Sequence, residues 1–204
     1  MDALQRFAAD RGLEHRGTGT LEGPFALLRR AGRVEGLVRG ALADGRKAAL
    51  AAYTCTEEDP EGGLREHPYL VVLCAVPESS SELPWLTCRS REAEISGGPG
   101  AAVEPPLGAQ PIELESEFFA QRFELLAGPG TDPNAVVQLF APSFLHWYAY
   151  EAPFGLSLKV IGGRLCASAP GAAERIDRVR SLWDATARIV TALTREGLES
   201  SGLA

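Results

Sequence analysis

The spacing of apolar residues along this chain changes from one stretch to the next, and each spacing predicts an element. Residues 33–53 alternate between apolar and polar positions on both sides of 43–46, whose Asp-Gly pair favours a tight turn, so they predict a β-hairpin. Val34, Val38 and Leu42 share one parity and are expected on one face of this hairpin. Small residues dominate its strands, which predicts that a helix packs closely on it.

Further apolar segments predict more strands. Residues 69–76 form an uninterrupted apolar run, typical of a central strand, and residues 84–88 predict another. Residues 24–28 are interpreted as the start of a strand. Ile112 and Leu114 alternate with glutamates, as in an edge strand. Two more strands are predicted on either side of Gly162-Gly163, within residues 154–168.

Helical spacing occurs at both ends of the chain and once in its middle. Residues 2–12 predict a short helix with Gly12 as its stop, and residues 172–196 predict a long amphipathic helix. Asp132 is a good N-cap followed by Pro133 at the first helical position. Pro142 lies inside the same apolar pattern, so we expect the helix to kink or to restart there.

These elements together predict an α+β fold. We expect an antiparallel sheet of about six to nine strands, with the long C-terminal helix packed across one face. The chain of 204 residues suits a single compact domain over 1–204. Residues 96–111 are rich in Gly, Pro and Ala, and a seam between two lobes would lie there.

Charge and composition narrow the possible functions. Residues 51–126 carry 4 basic and 14 acidic side chains, a net −10, which argues against binding to nucleic acid. No apolar run is long enough for a membrane span, and the N-terminus lacks the apolar core of a signal peptide, so we expect a cytoplasmic protein. The four cysteines form no C-x-x-C pair, and we expect buried free thiols.

The search for catalytic chemistry finds no recognisable motif. The chain lacks a phosphate-binding loop, a dinucleotide fingerprint and a nucleophile elbow, so no catalytic residue, cofactor or metal is predicted. Cys55 borders a loop and is the best candidate for a nucleophile, should a histidine lie beside it. Glu113 and Glu115 would supply a carboxylate pair, although the same alternation is typical of a solvated strand face.

Residues 111–169 hold six of the eight phenylalanines, and they also hold the candidate ligand-binding residues. Trp147, Tyr148 and Tyr150 form an aromatic cluster that would line a ligand pocket. Their helical spacing beside Phe140 and Phe144 is equally typical of a core. Both interpretations stay open at the level of sequence.

Residues 112–168 resemble an uncharacterised bacterial protein family. The matching features are Phe119 with Phe123, the Leu139-x-x-Pro142-x-Phe144 helix start and a hairpin at 162–165. The resemblance implies no activity.

Three classes of function follow, in order of preference. The first is a non-catalytic binding or scaffold protein with an unknown protein partner. The second is a carrier of a small apolar ligand, held in a cavity where the long helix grips the sheet. The third is an enzyme of unrecognised type, which would need a cleft with two or more titratable groups of perturbed pKa. A homo-oligomer is compatible with each of them.

Overall fold

The computed structural model describes residues 2–58, 63–76, 83, 85–91 and 105–200, with the side chains of the last helix described as far as residue 194. The strands are β1 (Glu14–Arg16), β2 (Gly32–Ala41), β3 (Lys47–Glu58), β4 (Leu64–Ala75), β5 (Trp85–Ser90), β6 (Gln110–Pro111), β7 (Phe123–Ala127), β8 (Ser157–Ile161) and β9 (Arg164–Pro170). The helices are α1 (Ala3–Arg11), α2 (Ala26–Arg29), α3 (Glu117–Arg122), α4 (Pro133–Leu139), α5 (Pro142–Tyr150) and α6 (Ile176–Ser200).

The nine strands form one antiparallel sheet in the order β1-β2-β3-β4-β9-β8-β5-β7-β6. The middle of the sheet is the pairing of β4 with β9, which joins the first strands of the chain to the last. The predicted α+β fold, with its antiparallel sheet and long C-terminal helix, is therefore confirmed. The predicted seam at 96–111 falls mainly on residues 92–104, which lie outside the described residues, and it stays a prediction.

The predicted hairpin of β2 and β3 forms, but one of its face assignments is wrong. The register shifts between Val34 and Gly36, where a β-bulge adds a residue to β2. An added residue reverses the side-chain alternation, so Val34 lies on the opposite face of the sheet from Val38 and Leu42. The prediction assumed that the alternation continues without interruption from Val34 to Leu42, and the bulge interrupts it.

The small residues of this hairpin allow helix α1 to pack closely on it, as expected. Asp2 caps α1 by accepting a hydrogen bond from the Gln5 amide at 2.8 Å, and Gly12 ends it at φ 64°. A Cβ atom at Gly36 would lie 2.6 Å from the Leu4 side chain, so the glycine allows α1 to approach β2 closely.

Helix α6 crosses the same face of the sheet and packs on β4 and β9. Its apolar stripe is buried throughout (Val179, Leu182, Trp183, Ile189, Val190 and Leu193). Burial of each such side chain contributes about 1.5–3 kcal/mol. The helix begins four residues later than predicted, because residues 172–175 form a turn that follows Gly171.

The opposite face of the sheet has a smaller core. Residues 24–28, predicted to start a strand, instead lead into the short helix α2, and Phe25 and Leu27 are buried against Tyr53, Tyr69 and neighbouring side chains. The prediction was wrong because an isolated apolar run of this length also fits a helical turn laid over a sheet.

The four cysteines are free and buried, as predicted. Burial raises the pKa of Cys74, Cys88 and Cys166 to about 12. These thiols are therefore protonated at neutral pH and serve as small apolar core residues.

Candidate functional site

The three predicted ligand-binding residues do not lie together. Trp147 and Tyr148 are buried, with 6% and 1% of their surface exposed, whereas Tyr150 is 58% exposed. The Tyr148 hydroxyl donates a hydrogen bond to the carbonyl of Leu156 at 3.3 Å, and the Arg188 guanidinium covers the Trp147 ring at 4.7 Å. Trp147 and Tyr148 are thus held in the core, and Tyr150 alone of the three faces a surface groove.

An aromatic cluster supports this part of the sheet. Its members are Phe119, Phe123, Phe140, Phe144 and Tyr148, with neighbouring ring centroids 5.1–6.0 Å apart. Two helix starts position them: Asp132 caps α4 by accepting from the Asn134 amide at 2.9 Å, and Pro142 starts α5. The predicted N-cap and the predicted restart at Pro142 are both confirmed, and together they bring α4 and α5 against α3.

The groove lies between α4, α5 and the segment that precedes α3, and has a volume of about 590 Å³. We call it the α4–α5 groove. Residues 113–116 form one wall, and the helices supply Val137, Phe140, Ala141, Pro142, Leu145, His146, Ala149 and Tyr150. Val137 is 49% exposed, so the groove is open to solvent and presents apolar side chains to it.

The wall at 113–116 is set by the edge of the sheet. Among the described strands, β6 pairs with β7 alone, and the amide of Ile112 continues that ladder by donating to the carbonyl of Leu125 at 2.9 Å. The Ser116 amide then donates to the carbonyl of Leu114 at 2.7 Å, and the Ser116 hydroxyl oxygen accepts from the Phe119 amide at 3.2 Å to cap α3. The wall therefore follows the sheet edge at Glu113 and Leu114 and bends at Glu115 into the start of α3.

Tyr150, one of the groove residues, is part of an aromatic stack. Tyr150 stacks on Phe118, and the Arg122 guanidinium covers the Phe118 ring at 5.2 Å while donating to the carbonyl of Ala149 at 2.8 Å. His146 lies 4.9 Å from the Tyr150 ring and 3.8 Å from the Glu151 carboxylate. These contacts join α3 to α5 and leave one face of the stack exposed.

Within the described part of the chain, the two carboxylates of the groove wall, Glu113 and Glu115, make no side-chain hydrogen bond or ion pair. The same holds for Glu117, which lies just beyond the wall, whereas Glu66 and Glu124 are each held by an arginine. The groove therefore combines an apolar floor with a wall of solvated negative charge. The sequence pointed to Glu113 and Glu115 as a carboxylate pair or a solvated face, and the structure places both along this wall.

A second hollow, of about 290 Å³, lies beside the start of α6. It is lined in part by Leu70, Phe154 and Arg178, and Phe154 is 66% exposed. Arg178 donates a short hydrogen bond to the carbonyl of Pro170, which holds its guanidinium against the sheet. Phe154 provides an exposed aromatic residue away from the α4–α5 groove.

The strongest candidate nucleophile is placed beside a histidine but is not activated by it. Cys55 on β3 pairs directly with His67 on β4, yet the thiol donates to the backbone carbonyl of His67 at 3.6 Å. Cys55 is fully buried, and burial raises the pKa of its thiol, whereas an activated cysteine has a lowered pKa. Burial also lowers the pKa of His67.

Lys159 is a buried cation on the sheet face that carries α2. It is 7% exposed and lies between Cys166 on β9 and Thr87 on β5, and it makes no hydrogen bond or ion pair with the described residues. Burial lowers its pKa to about 8. No group of three or more potential metal ligands occurs in the part of the chain that the structure describes.

Comparison with known proteins shows the fold and no more. No protein-family model matches the chain, and no curated protein matches it. A solved structure that is similar is the crystal structure of the mycobacterial trehalose monomycolate transport factor A, TtfA, with a TM-score of 0.54, 10% sequence identity and 93% of each chain covered. The likeness to TtfA is one of fold, and no family model supports the resemblance of residues 112–168 to an uncharacterised bacterial family.

None of the helices in the described ranges is long and apolar enough to cross a membrane.

Proposed function

We propose that this protein is a non-catalytic binding module that holds an apolar segment of a protein partner in the α4–α5 groove. The observation that carries the proposal is the exposure of Val137 and Tyr150 beside a groove of about 590 Å³. The buried aromatic cluster beneath it makes the groove a fixed surface. Exposed apolar side chains that share one concavity are typical of an interaction site.

The fold of the similar structure supports a binding role. TtfA is named as a transport factor, and a binding role for this chain is compatible with that name. The raised pKa values of the buried thiols and the absence of a recognised catalytic motif in the sequence point the same way.

The name of TtfA also favours a second candidate, the carrier of a small apolar ligand. The predicted site of such a ligand was the contact between the C-terminal helix and the sheet. The buried stripe of α6 packs on β4 and β9 in that region, which favours the groove over the helix contact as the ligand site. Native mass spectrometry of gently purified protein distinguishes the two: a co-purified small molecule supports the carrier, and a co-purified protein supports the binding module. A bare monomer would count against both.

Selection from a random peptide library tests the groove. Wild-type protein should enrich peptides that bind it and that fail to bind Ala141→Trp, because an indole at this exposed groove position fills the space between α4 and the wall. Phe154→Ala serves as the matched control, since it removes an exposed aromatic residue outside the groove. Circular dichroism should show that both variants fold.

The peptide selection has results that support the proposal and results that contradict it. Enriched peptides that bind the wild type and Phe154→Ala but not Ala141→Trp support the proposal. No enrichment, or peptides that bind the wild type and Ala141→Trp equally, contradicts it.

A further inference from the structure

We infer that the occupant of the α4–α5 groove is an extended segment of a partner protein with alternating apolar and Lys or Arg residues, added as a new strand at the edge of the sheet beside residues 111–115. This inference rests on the proposed function and specifies the chemistry of the partner. Three observations carry it: the free backbone of the edge, the unpaired carboxylates along it and the alternation of its side chains.

The edge offers backbone hydrogen-bonding groups. Strand β6 is the last strand of the sheet, and Ile112 lies opposite Leu125 in a hydrogen-bonded position. In an antiparallel ladder, successive residues direct their amides and carbonyls to opposite sides. Glu113 therefore directs its amide and carbonyl away from β7, and neither group has a backbone hydrogen bond within the described residues. A peptide strand satisfies such groups.

The side chains of the edge specify an alternating partner. Leu114 packs against the helix-side core, whereas the exposed Glu113 and Glu115 occupy the other parity. In an added strand, residues directly opposite one another lie on the same face. Residues opposite the two glutamates should therefore be cationic. Residues opposite Leu114 point towards the helices and should be apolar, within reach of Leu145 and Val137.

Charge complementarity excludes an edge-to-edge contact between two copies of this chain. A twofold pairing of two such edges would place the carboxylates of Glu113 and Glu115 against those of the other copy, and like charges opposite one another destabilise a sheet. The chain as a whole carries a net charge of −7, which adds to the repulsion. A cationic segment of a different protein satisfies the carboxylates that the described residues leave unpaired.

A labelled octapeptide of alternating Lys and Val is the first probe, with binding measured by fluorescence anisotropy at low salt. We expect it to bind at least about tenfold more tightly than the matching Glu-Val octapeptide. Its affinity should fall at higher salt, because salt screens exposed charges. The double variant Glu113→Gln/Glu115→Gln should lower the affinity for the Lys-Val peptide about fivefold or more. Glu117→Gln, which removes a single charge one position beyond the groove wall, should change this affinity less than about twofold.

Backbone methylation of the probe tests the added strand itself. Two Lys-Val peptides are N-methylated at every second amide, in one register or the other. Strand addition uses the amides of one register alone, so one methylated peptide should lose binding and the other should keep it. Equal binding of both methylated peptides would overturn strand addition.

Failure of this inference is distinguishable from failure of the proposed function. If library peptides bind in a manner blocked by Ala141→Trp but carry no excess of Lys and Arg, the groove functions and the cationic partner is wrong. If Lys-Val and Glu-Val peptides bind equally, the same conclusion holds. A concentration-dependent dimer in light scattering that Glu113→Gln/Glu115→Gln strengthens would assign the edge to a second copy and overturn the inference.

Discussion

The ring of Tyr150 lies flat on the ring of Phe118, with 4.3 Å between their centroids and 9° between their planes. Tyr150 is the last residue of α5 and Phe118 the second residue of α3, so this stack joins the two helices. Arg122 covers the Phe118 ring, which holds the stack at the groove's end. An aromatic pair in this position both stabilises the groove and offers a surface to a ligand.

The stack should contribute measurably to stability. In a double-mutant cycle of Phe118→Ala and Tyr150→Ala, we expect a coupling of about 0.5–1 kcal/mol in the free energy of unfolding, the range of exposed aromatic pairs. Chemical denaturation of the four proteins measures it. Phe154→Ala paired with Phe118→Ala is the control and should be additive. A zero coupling between Phe118 and Tyr150 would show that the rings do not stack in solution.

Lys159 should make stability depend on pH above neutrality. Because burial lowers its pKa to about 8, the folded protein loses this proton at a lower pH than the unfolded chain does, near 10.5. Between these values the unfolded state binds more protons, so the Lys159 contribution to stability rises with pH. Below pH 8 the folded state carries the full cost of a buried charge, at most about 3 kcal/mol.

The comparison with Lys159→Met isolates this effect from the buried thiols and tyrosines, which titrate in the same range. We expect Lys159→Met to be more stable than the wild type at pH 7, and the difference to shrink as the pH approaches 10. Urea denaturation at several pH values measures both proteins. A difference that stays constant from pH 7 to pH 10 would contradict the lowered pKa of Lys159.

The buried thiols should be unreactive in the native state. Since burial raises the pKa of each of the four cysteines and none is exposed, a thiol-specific reagent at pH 8 should modify the native protein only at the rate of unfolding. In guanidinium chloride all four should react at once. Cys55→Ala should leave peptide binding unchanged, and its loss of binding would overturn the non-catalytic, structural role of this thiol.

Alanine substitutions at two glycines separate two contributions to the unfolding free energy. One is the steric clash of a Cβ atom with a neighbouring residue, and the other is the strain of a left-handed backbone. Gly155 and Gly45 have φ values of 70° and 83°, but a Cβ at Gly155 would lie 2.7 Å from the Pro170 ring, whereas one at Gly45 meets nothing within 4 Å. We expect Gly45→Ala to cost about 1 kcal/mol of unfolding free energy. Gly155→Ala should cost about 1–3 kcal/mol more, because a proline ring cannot move aside.

Thermal or urea unfolding of the two glycine variants provides the comparison. Equal destabilisation of both would show that Pro170 relaxes at no cost and that the turn conformation alone requires glycine at position 155.

The elements of this fold were largely predictable from local patterns. The N-cap at Asp132 and the helix stop at Gly12 are confirmed because each depends on the conformation of a few neighbouring residues. The same holds for the restart at Pro142. The bulge near Val34 was not predictable, since it depends on how β2 pairs with β3 and leaves no mark in the alternation itself.

The candidate site was only partly predictable. The sequence identified Tyr150, Glu113 and Glu115, but it gave no reason to connect them across more than thirty residues. Val137 was missed, although an apolar residue off the buried stripe of α4 is a usable signal.

By itself the sequence determined most of the segments that form strands and helices, because propensity, capping and alternation act over a few residues. Residues 24–28 are an exception, since they form a helix where a strand was predicted. The tertiary structure alone decided that β9 pairs with β4, that Trp147 and Tyr148 are buried while Tyr150 faces solvent, and that an acidic edge lies opposite an apolar helix pair. The physical reason is that burial and charge proximity depend on contacts between distant segments, which local periodicity does not encode.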